Sequence, residues 1–198
     1  MPRRLKLEMD LVPIPSQTAG PFFHLGCTDR HSVAKLATSQ TLGERIMLIC
    51  RVMDGDGLPV NDAMLELWQA NAAGKYLHPE DTQPKPADAS FAGFGRLGTD
   101  QDGLCKFETI KPGRVPGSDS ALQAPHINVS VFARGVLKRL ATRIYFAGDS
   151  TNSADPILAL VPEERRKSLM AKPDPVRPGE WRFDIYLCGE YETVFFDV

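Results

Sequence analysis

Residues 123–131 read QAPHINVSV, and two of them have side chains suited to metal chemistry. His126 and Asn128 are two positions apart in a segment that alternates like a β-strand, so their side chains point to the same face. A His-x-His pair there would offer two imidazoles to one metal ion, but Asn128 stands in place of the second imidazole. The segment therefore either never bound a metal or is a metal site that has lost a ligand.

Other side chains of ligand type are scattered along the chain. Tyr76 and His78 lie in GKYLH, and His24 and His31 lie near the start. Tyrosine and histidine can both bind a metal ion. A single histidine is, however, more often a hydrogen-bonded structural residue, and a tyrosine in such a segment is ordinarily a half-buried aromatic. Spacing alone therefore does not predict a metal site.

Composition narrows the possible function classes. The chain has 198 residues, enough for one well-buried core, with a formal net charge of -2 and a pI of about 6.1. This charge excludes nucleic-acid binding through a basic surface. The four cysteines form no CxxC pair, which excludes a zinc ribbon. No signal-peptide segment follows MPRRLK and no run approaches the roughly 18 apolar residues of a membrane span, so we expect a cytoplasmic protein.

Short β-branched and aromatic segments with alternating polarity predict six or seven strands. They are bounded by turn residues, in line with the 16 glycines and 16 prolines of the chain. DQDG separates two strand candidates inside the third segment, as in a hairpin. The fold class predicted is therefore all-β, an antiparallel sandwich or barrel. The segments are 44–54, 63–70, 95–110, 126–134, 141–149 and 181–189.

Helix signals are few. PEERRKSLMA (162–171) begins with a proline, has acidic residues in its first turn and basic residues later, which predicts one short surface helix. The leader segment 15–26 and the segment 82–93 are rich in proline and glycine and are expected to be irregular. We therefore expect one β domain over residues 1–198, with long loops.

Several motifs, taken in order, resemble those of the intradiol ring-cleaving dioxygenases. They are PSQTAGPFF, LELWQANAAGKY, GTDQDGLCKFETIKPG, APHINV and ETVFFD, and the resemblance covers residues 14–198. It implies an antiparallel β-sandwich of the intradiol type. Within the family, the chain resembles the alpha subunits, which hold no iron, of enzymes that cleave protocatechuate. An irregular leader arm, residues 1–30, would then contribute to the subunit interface.

The resemblance also implies where a metal would be held. Catalytic chains of the family bind Fe(III) with two tyrosines and two histidines, and the matching positions here are Tyr76, Val115, His126 and Asn128. Valine supplies no donor atom and asparagine only a weak neutral oxygen, so one tyrosine and one histidine remain for a hard ferric ion. The site is expected to be vestigial, with no metal and no catalytic residue in this chain alone.

The role implied for this chain is to complete a pocket in an alpha-beta oligomer. The beta subunit would hold Fe(III) and cleave protocatechuate with O2 to 3-carboxy-cis,cis-muconate. Thr18, Ala19, Gly20 and Pro21 would wall that pocket, since a Gly-Pro pair makes a rigid loop that a ligand can approach closely. Arg134 would face the substrate carboxylate, because a guanidinium is its natural partner.

Four alternatives remain open from the sequence. Residues 18–21 could be an ordinary turn, and Arg134 could be a surface residue paired with an acidic side chain. The chain could be a β-sandwich binding or carrier domain without catalytic activity, because a fold does not determine a function. It could also be a self-sufficient dioxygenase that recruits His78 beside Tyr76, although the missing ligands argue against this.

Overall fold

The computed structural model describes residues 14–117 and 121–197, which form mainly β-structure. The described ranges contain ten strands, of which two have only two residues. The strands are β1 (Arg45–Met53), β2 (Met64–Trp68), β3 (Phe94–Gly98), β4 (Leu104–Ile110), β5 (Val115–Pro116), β6 (Leu122–Gln123), β7 (His126–Phe132), β8 (Leu140–Phe146), β9 (Met170–Pro173) and β10 (Glu180–Tyr186).

Eight of these strands are hydrogen-bonded in the order β3-β2-β7-β8-β9-β10-β1-β4, and β5 pairs with β6. The short strand β9 joins the half that contains β2, β7 and β8 to the half that contains β10, β1 and β4. The inward side chains of both halves belong to one apolar cluster, which includes Leu48, Leu65, Phe107 and Ile127. Two layers over one core make the sandwich that the alternating segments predict.

Strand alternation explains which face of each strand is buried. In β1, Ile46, Leu48, Cys50 and Val52 follow one another at every second position, and all four belong to the core cluster. Fully burying a side chain such as Leu48 stabilises the fold by about 1.5–3 kcal/mol. The opposite face of the β2, β7 and β8 layer carries the polar and aromatic residues of the candidate site.

Two details of the sheet differ from the sequence-based expectation. β1 pairs with β10 in parallel, as does β8 with β9, so the sheet is mixed. DQDG does make a tight turn, in which Gly103 donates to the carbonyl of Asp100 at 2.9 Å. The hairpin prediction is nevertheless wrong, because β3 pairs with β2 while β4 pairs with β1. The turn crosses between the two layers, and Gly95 of β3 lies so close to Phe107 that an added Cβ would come within 3.1 Å of its ring.

The helices also differ from the expectation. The leader is not irregular throughout, because α1 occupies Pro21–Thr28. It starts at Pro21 because proline is favoured in the first helical turn, where its missing N–H costs no hydrogen bond. The expected helix over 162–171 is only α2 (Glu163–Arg166), followed by a 3₁₀ helix, Lys167–Leu169, and then by β9. Two further 3₁₀ helices lie at Ser150–Ala154 and Leu158–Leu160.

Within the described ranges, no helix is long and apolar enough to cross a membrane.

Candidate functional site

A cavity of about 490 Å³ lies on the outer face of the layer formed by β2, β7 and β8. It contains two of the four positions predicted as vestigial ligands, Tyr76 and Val115, and is bordered by the loop that follows β2. The lining residues are Trp68, Tyr76, His78, Glu80, Asp81, Thr82, Gln83, Val115 and Pro116.

Tyr76 is held firmly in this cavity. Its ring stacks on Trp68 with centroids 5.8 Å apart and an interplanar angle of 10°, and its backbone N–H donates to the Asp81 carboxylate at 2.7 Å. Burial raises the pKa of the Tyr76 phenol, although Arg143 and the hydrogen bond from Asn128 act in the opposite direction. Burial therefore favours the neutral phenol over the phenolate.

Close backbone packing places the Tyr76 loop beside the segment that carries Val115. Gly74 has a φ of +78°, and a Cβ there would lie within 2.8 Å of the Arg114 backbone and of the Lys85 side chain. Gly113 donates its N–H to the carbonyl of Asn71 at 2.9 Å, and a Cβ at that position would overlap Ala72. Only glycines permit this approach, so the motifs GKY and KPG are in contact in the folded chain.

His126 is buried, with 3 % of its surface exposed. Its Nδ1 lies 2.8 Å from the carbonyl oxygen of Ala124, which can only accept, so Nδ1 carries the proton. The ring packs at a tilt against Tyr145, with centroids 5.8 Å apart. Burial is the main reason that the pKa of His126 falls to about 4, with Arg143 contributing in the same direction. The imidazole is thus neutral and structurally paired.

The other two predicted ligand positions lack metal donors. Val115 is buried, with 4 % of its surface exposed. Asn128 points its Nδ2 at the Tyr76 hydroxyl and at the carbonyl of Trp68, both at 3.4 Å. The amide therefore presents hydrogens, not a lone pair, toward the phenol. These residues do not fit a ferric ion, and the described ranges contain no group of three or more His, Cys, Asp or Glu side chains that could hold a metal.

The remaining histidines do not complete a ligand set. His78 is exposed at the rim of the cavity, where its Nδ1 accepts a hydrogen bond from the N–H of Glu80 at 3.2 Å and its ring meets the edge of Trp68. His31 is exposed after α1, and the side chain of His24 lies outside the described part of the structure. This arrangement gives no support to a self-sufficient iron site.

The structure adds Arg143, which the sequence-based reasoning did not select. Arg143 lies directly opposite Asn128 in the β7–β8 ladder, and Asn128 lies opposite Trp68 in the β2–β7 ladder. The three side chains therefore form a row across the outer face of three strands. A signal was present in LATRIYF, where Arg143 and Tyr145 alternate with apolar residues and so share a face.

The predicted pocket-wall residues meet at a second place. The Thr18 hydroxyl accepts a hydrogen bond from the N–H of Gly135 at 2.7 Å, which ties the leader to the turn that carries Arg134. Gly20 has extended backbone, and Pro21 begins α1. A Cβ on Gly20 would meet no atom of this chain within 4 Å. Packing within this chain therefore does not require a glycine at position 20.

Arg134 forms an ion pair with Asp62, with Nε and Oδ2 3.1 Å apart, yet its side chain remains 77 % exposed. The surface pairing considered for this residue is therefore present, and the guanidinium is still open to solvent. Phe23 of α1 packs against Phe132 at the end of β7, with ring centroids 5.4 Å apart. We call Thr18, Ala19, Gly20, Pro21 and Arg134 the wall segment.

The wall segment and the Tyr76 cavity lie at opposite ends of β7. Asn128 is near the start of the strand and Phe132 at its end, about 13 Å away at 3.3 Å per residue, and Arg134 lies beyond it. The two sets of predicted site residues therefore do not form one site within this chain.

Residues 18–189 match the family model described as Dioxygenase. The chain belongs to the dioxygenase family. The protocatechuate 3,4-dioxygenase alpha chain of Burkholderia cepacia is 44 % identical, over 93 % of this chain and 96 % of its own length. The protocatechuate 3,4-dioxygenase beta chain of Burkholderia cepacia is 40 % identical to this chain, over 82 % of this chain and 73 % of its own length.

Among solved structures, the dioxygenase domain of a dioxygenase carbohydrate-binding protein fusion from Streptomyces sp. SirexAA-E is 28 % identical. It matches with a TM-score of 0.60 over 92 % of this chain and 100 % of its own. The family membership and the β-sandwich fold predicted from the motifs are confirmed.

Proposed function

We propose that this chain is the alpha subunit, without iron, of a protocatechuate 3,4-dioxygenase, and that it completes the pocket of an iron-bearing beta subunit. One observation carries the proposal: two of the four ligand positions are replaced, by a buried valine at 115 and by Asn128, whose amide donates to Tyr76. The 44 % identity to an alpha chain, over nearly the whole of both chains, supports the same conclusion.

The position of the wall segment supports the second half of the proposal. Thr18 and Gly135 fasten the leader beside Arg134, at the end of β7 far from Tyr76. None of the wall residues lines the Tyr76 cavity, and we infer that the wall serves a pocket in a neighbouring chain. A glycine at position 20 is useful in such a wall, because backbone without a Cβ lets a ligand or a partner approach closely.

In the assembled enzyme, protocatechuate and O2 combine to give 3-carboxy-cis,cis-muconate, with the iron supplied by the beta subunit. The part played by this chain is binding and enclosure. The Arg134 guanidinium, oriented through its Nε by Asp62, leaves its outer nitrogens free for the substrate carboxylate. The leader excludes water from that side of the pocket and so strengthens this charge pairing.

The proposal is tested by purifying the chain alone and after co-expression with its beta chain, and by measuring iron and protocatechuate-dependent O2 uptake in both samples. We expect the lone chain to be iron-free and inactive and the complex to contain iron and consume O2. Stoichiometric ferric iron in the lone chain would overturn the ligand argument. If no beta chain co-purifies and neither sample holds iron, the chain is a binding or carrier domain instead.

A further inference from the structure

Arg143 connects the two ligand positions that are replaced in this chain. On one side it lies directly opposite Asn128 in the β7–β8 ladder, so the two side chains share a face. On the other side its Nη1 donates to the Oε1 of Gln123 at 2.6 Å, and Gln123 is the residue that pairs with Val115 in the β5–β6 ladder. The guanidinium therefore lies between positions 115 and 128.

The remaining two ligand positions face the same group. Asn128, opposite Arg143, contacts the Tyr76 hydroxyl at 3.4 Å. His126 lies opposite Tyr145, two residues further along β8 and on the same face as Arg143. His126, and Tyr76 through its contact with Asn128, therefore lie beside the face of the sheet that carries Arg143.

Arg143 has no ion-pair partner among the described residues. Its Nη1 donates to the neutral amide oxygen of Gln123, and no carboxylate forms an ion pair with it. The buried carboxylate of Asp155 is occupied by the Tyr145 hydroxyl at 3.1 Å and by backbone N–H groups. A metal cation entering the site would meet a guanidinium that is not paired with a carboxylate.

We propose that Arg143 is a built-in cation that bars metal from the vestigial site independently of the two replaced ligands. A guanidinium stays charged at every physiological pH and donates hydrogen bonds without accepting any. It can therefore bind the amide and phenol oxygens of the site while repelling a metal ion. Loss of iron in this chain is then due to three residues, and restoring the two ligand side chains alone does not restore metal binding.

The test compares variants of the full chain, without a partner. Val115→Tyr/Asn128→His restores the ligand types, and the same pair is combined with Arg143→Gln, which removes the charge and keeps an amide beside Gln123. A matched control combines the pair with Arg139→Gln, because Arg139 is an exposed arginine four residues earlier. Each protein is incubated with ferric citrate and desalted, and bound iron is measured by mass spectrometry together with the visible tyrosinate-to-iron absorption band.

We expect the pair and the Arg139 control to stay iron-free and colourless. The Arg143→Gln combination is expected to gain iron occupancy by at least about tenfold and to show the absorption band, because repulsion between like charges at contact distance is large inside a protein. Equal iron in the pair and in the Arg143→Gln combination would overturn the proposal. So would a folded combination, judged by circular dichroism and melting, that binds none. If Arg143→Gln does not fold, Arg143→Met, which fills the stem volume without charge, makes the same comparison.

Because this experiment measures the chain's own metal binding, its failure leaves the wall-segment proposal unaffected. If no beta chain co-purifies, the role of Arg143 is unaffected, whereas ferric iron in the lone chain would overturn both proposals.

Discussion

The hydroxyl of Thr18 accepts a hydrogen bond of 2.7 Å from the backbone N–H of Gly135, and so joins two segments that are 117 residues apart in the chain. This bond fixes the leader beside Arg134 at the end of β7. It joins two separate sequence features, the TAGP loop and the arginine, into one surface at the other end of β7 from the chain's own Tyr76 cavity.

Removing this bond should loosen the wall segment. In the complex with the beta chain, Thr18→Val keeps the side-chain shape but loses the acceptor, and we expect the KM for protocatechuate to rise about 2- to 10-fold, corresponding to one hydrogen bond of about 0.5–1.5 kcal/mol. Iron content should not change. Ser16→Ala, in the same leader, is the control. An equal KM in both variants would show that the Thr18–Gly135 bond does not hold the wall segment in its working position.

Arg134→Ala should affect substrates according to their charge. Because a hydrogen bond to a charged group is worth about 1.5–3 kcal/mol, we expect the KM for protocatechuate to rise by at least about tenfold, while that for catechol, which has no carboxylate, changes little. The melting temperature should hardly move, since the exposed pair with Asp62 contributes under about 1 kcal/mol. Arg139→Ala is the matched control. A parallel loss for both substrates would show that Arg134 does not recognise the carboxylate.

Substitution of Gly74 should destabilise the fold through steric overlap, and Gly57 serves as a control for backbone strain alone. Gly74→Ala places a Cβ against the Arg114 backbone, whereas Gly57 has nearly the same φ, +77° against +78°, with nothing within 4 Å. Backbone strain alone should make Gly57→Ala cost about 1–2 kcal/mol. Gly74→Ala should cost more by at least about 1 kcal/mol, because overpacking is added. Urea unfolding measures both, and equal costs would contradict the close packing of the GKY and KPG loops.

His126 should make the stability depend on pH in a defined direction. Its pKa is about 4 in the fold against 6.5 in the unfolded chain, so the neutral form is favoured by folding. Its contribution is present above pH 6.5, declines as the pH falls, and is lost at about pH 4. At about 1.4 kcal/mol per pKa unit the full loss is about 3 kcal/mol.

Urea unfolding at pH 7, 6, 5 and 4 tests this contribution. His126→Gln should be less stable than the parent at pH 7, and that difference should shrink steadily toward pH 4. His31→Gln, which changes an exposed histidine, should follow the parent curve. A difference for His126→Gln that stays constant with pH would contradict the burial of a neutral imidazole.

The strands were predictable because each buries one face, as the alternation in β1 and β10 shows. The vestigial ligand positions were also recognisable from motifs. Pairing was not predictable: DQDG has the local chemistry of a hairpin turn, but burial of Phe107 against Gly95 sends β3 and β4 into different layers. Helix α1 was missed because proline and glycine suggest irregular chain, although Pro21 is well suited to a first turn.

The role of Arg143 could not be predicted from the sequence. Its segment is recognisable as a strand, but its role depends on the register that sets it opposite Asn128 and on the contact with Gln123. Neither of these follows from the local sequence pattern. The separation of the wall segment from Tyr76 likewise required the direction of β7 in three dimensions.

The most direct test of the central claim is an anomalous difference map at the iron edge from crystals of the alpha-beta complex. We predict one iron peak per alpha-beta pair, held by the beta chain and close to Gly20 and Arg134 of this chain, with no peak beside Tyr76 and His126. A peak between Tyr76 and His126 of this chain would contradict it.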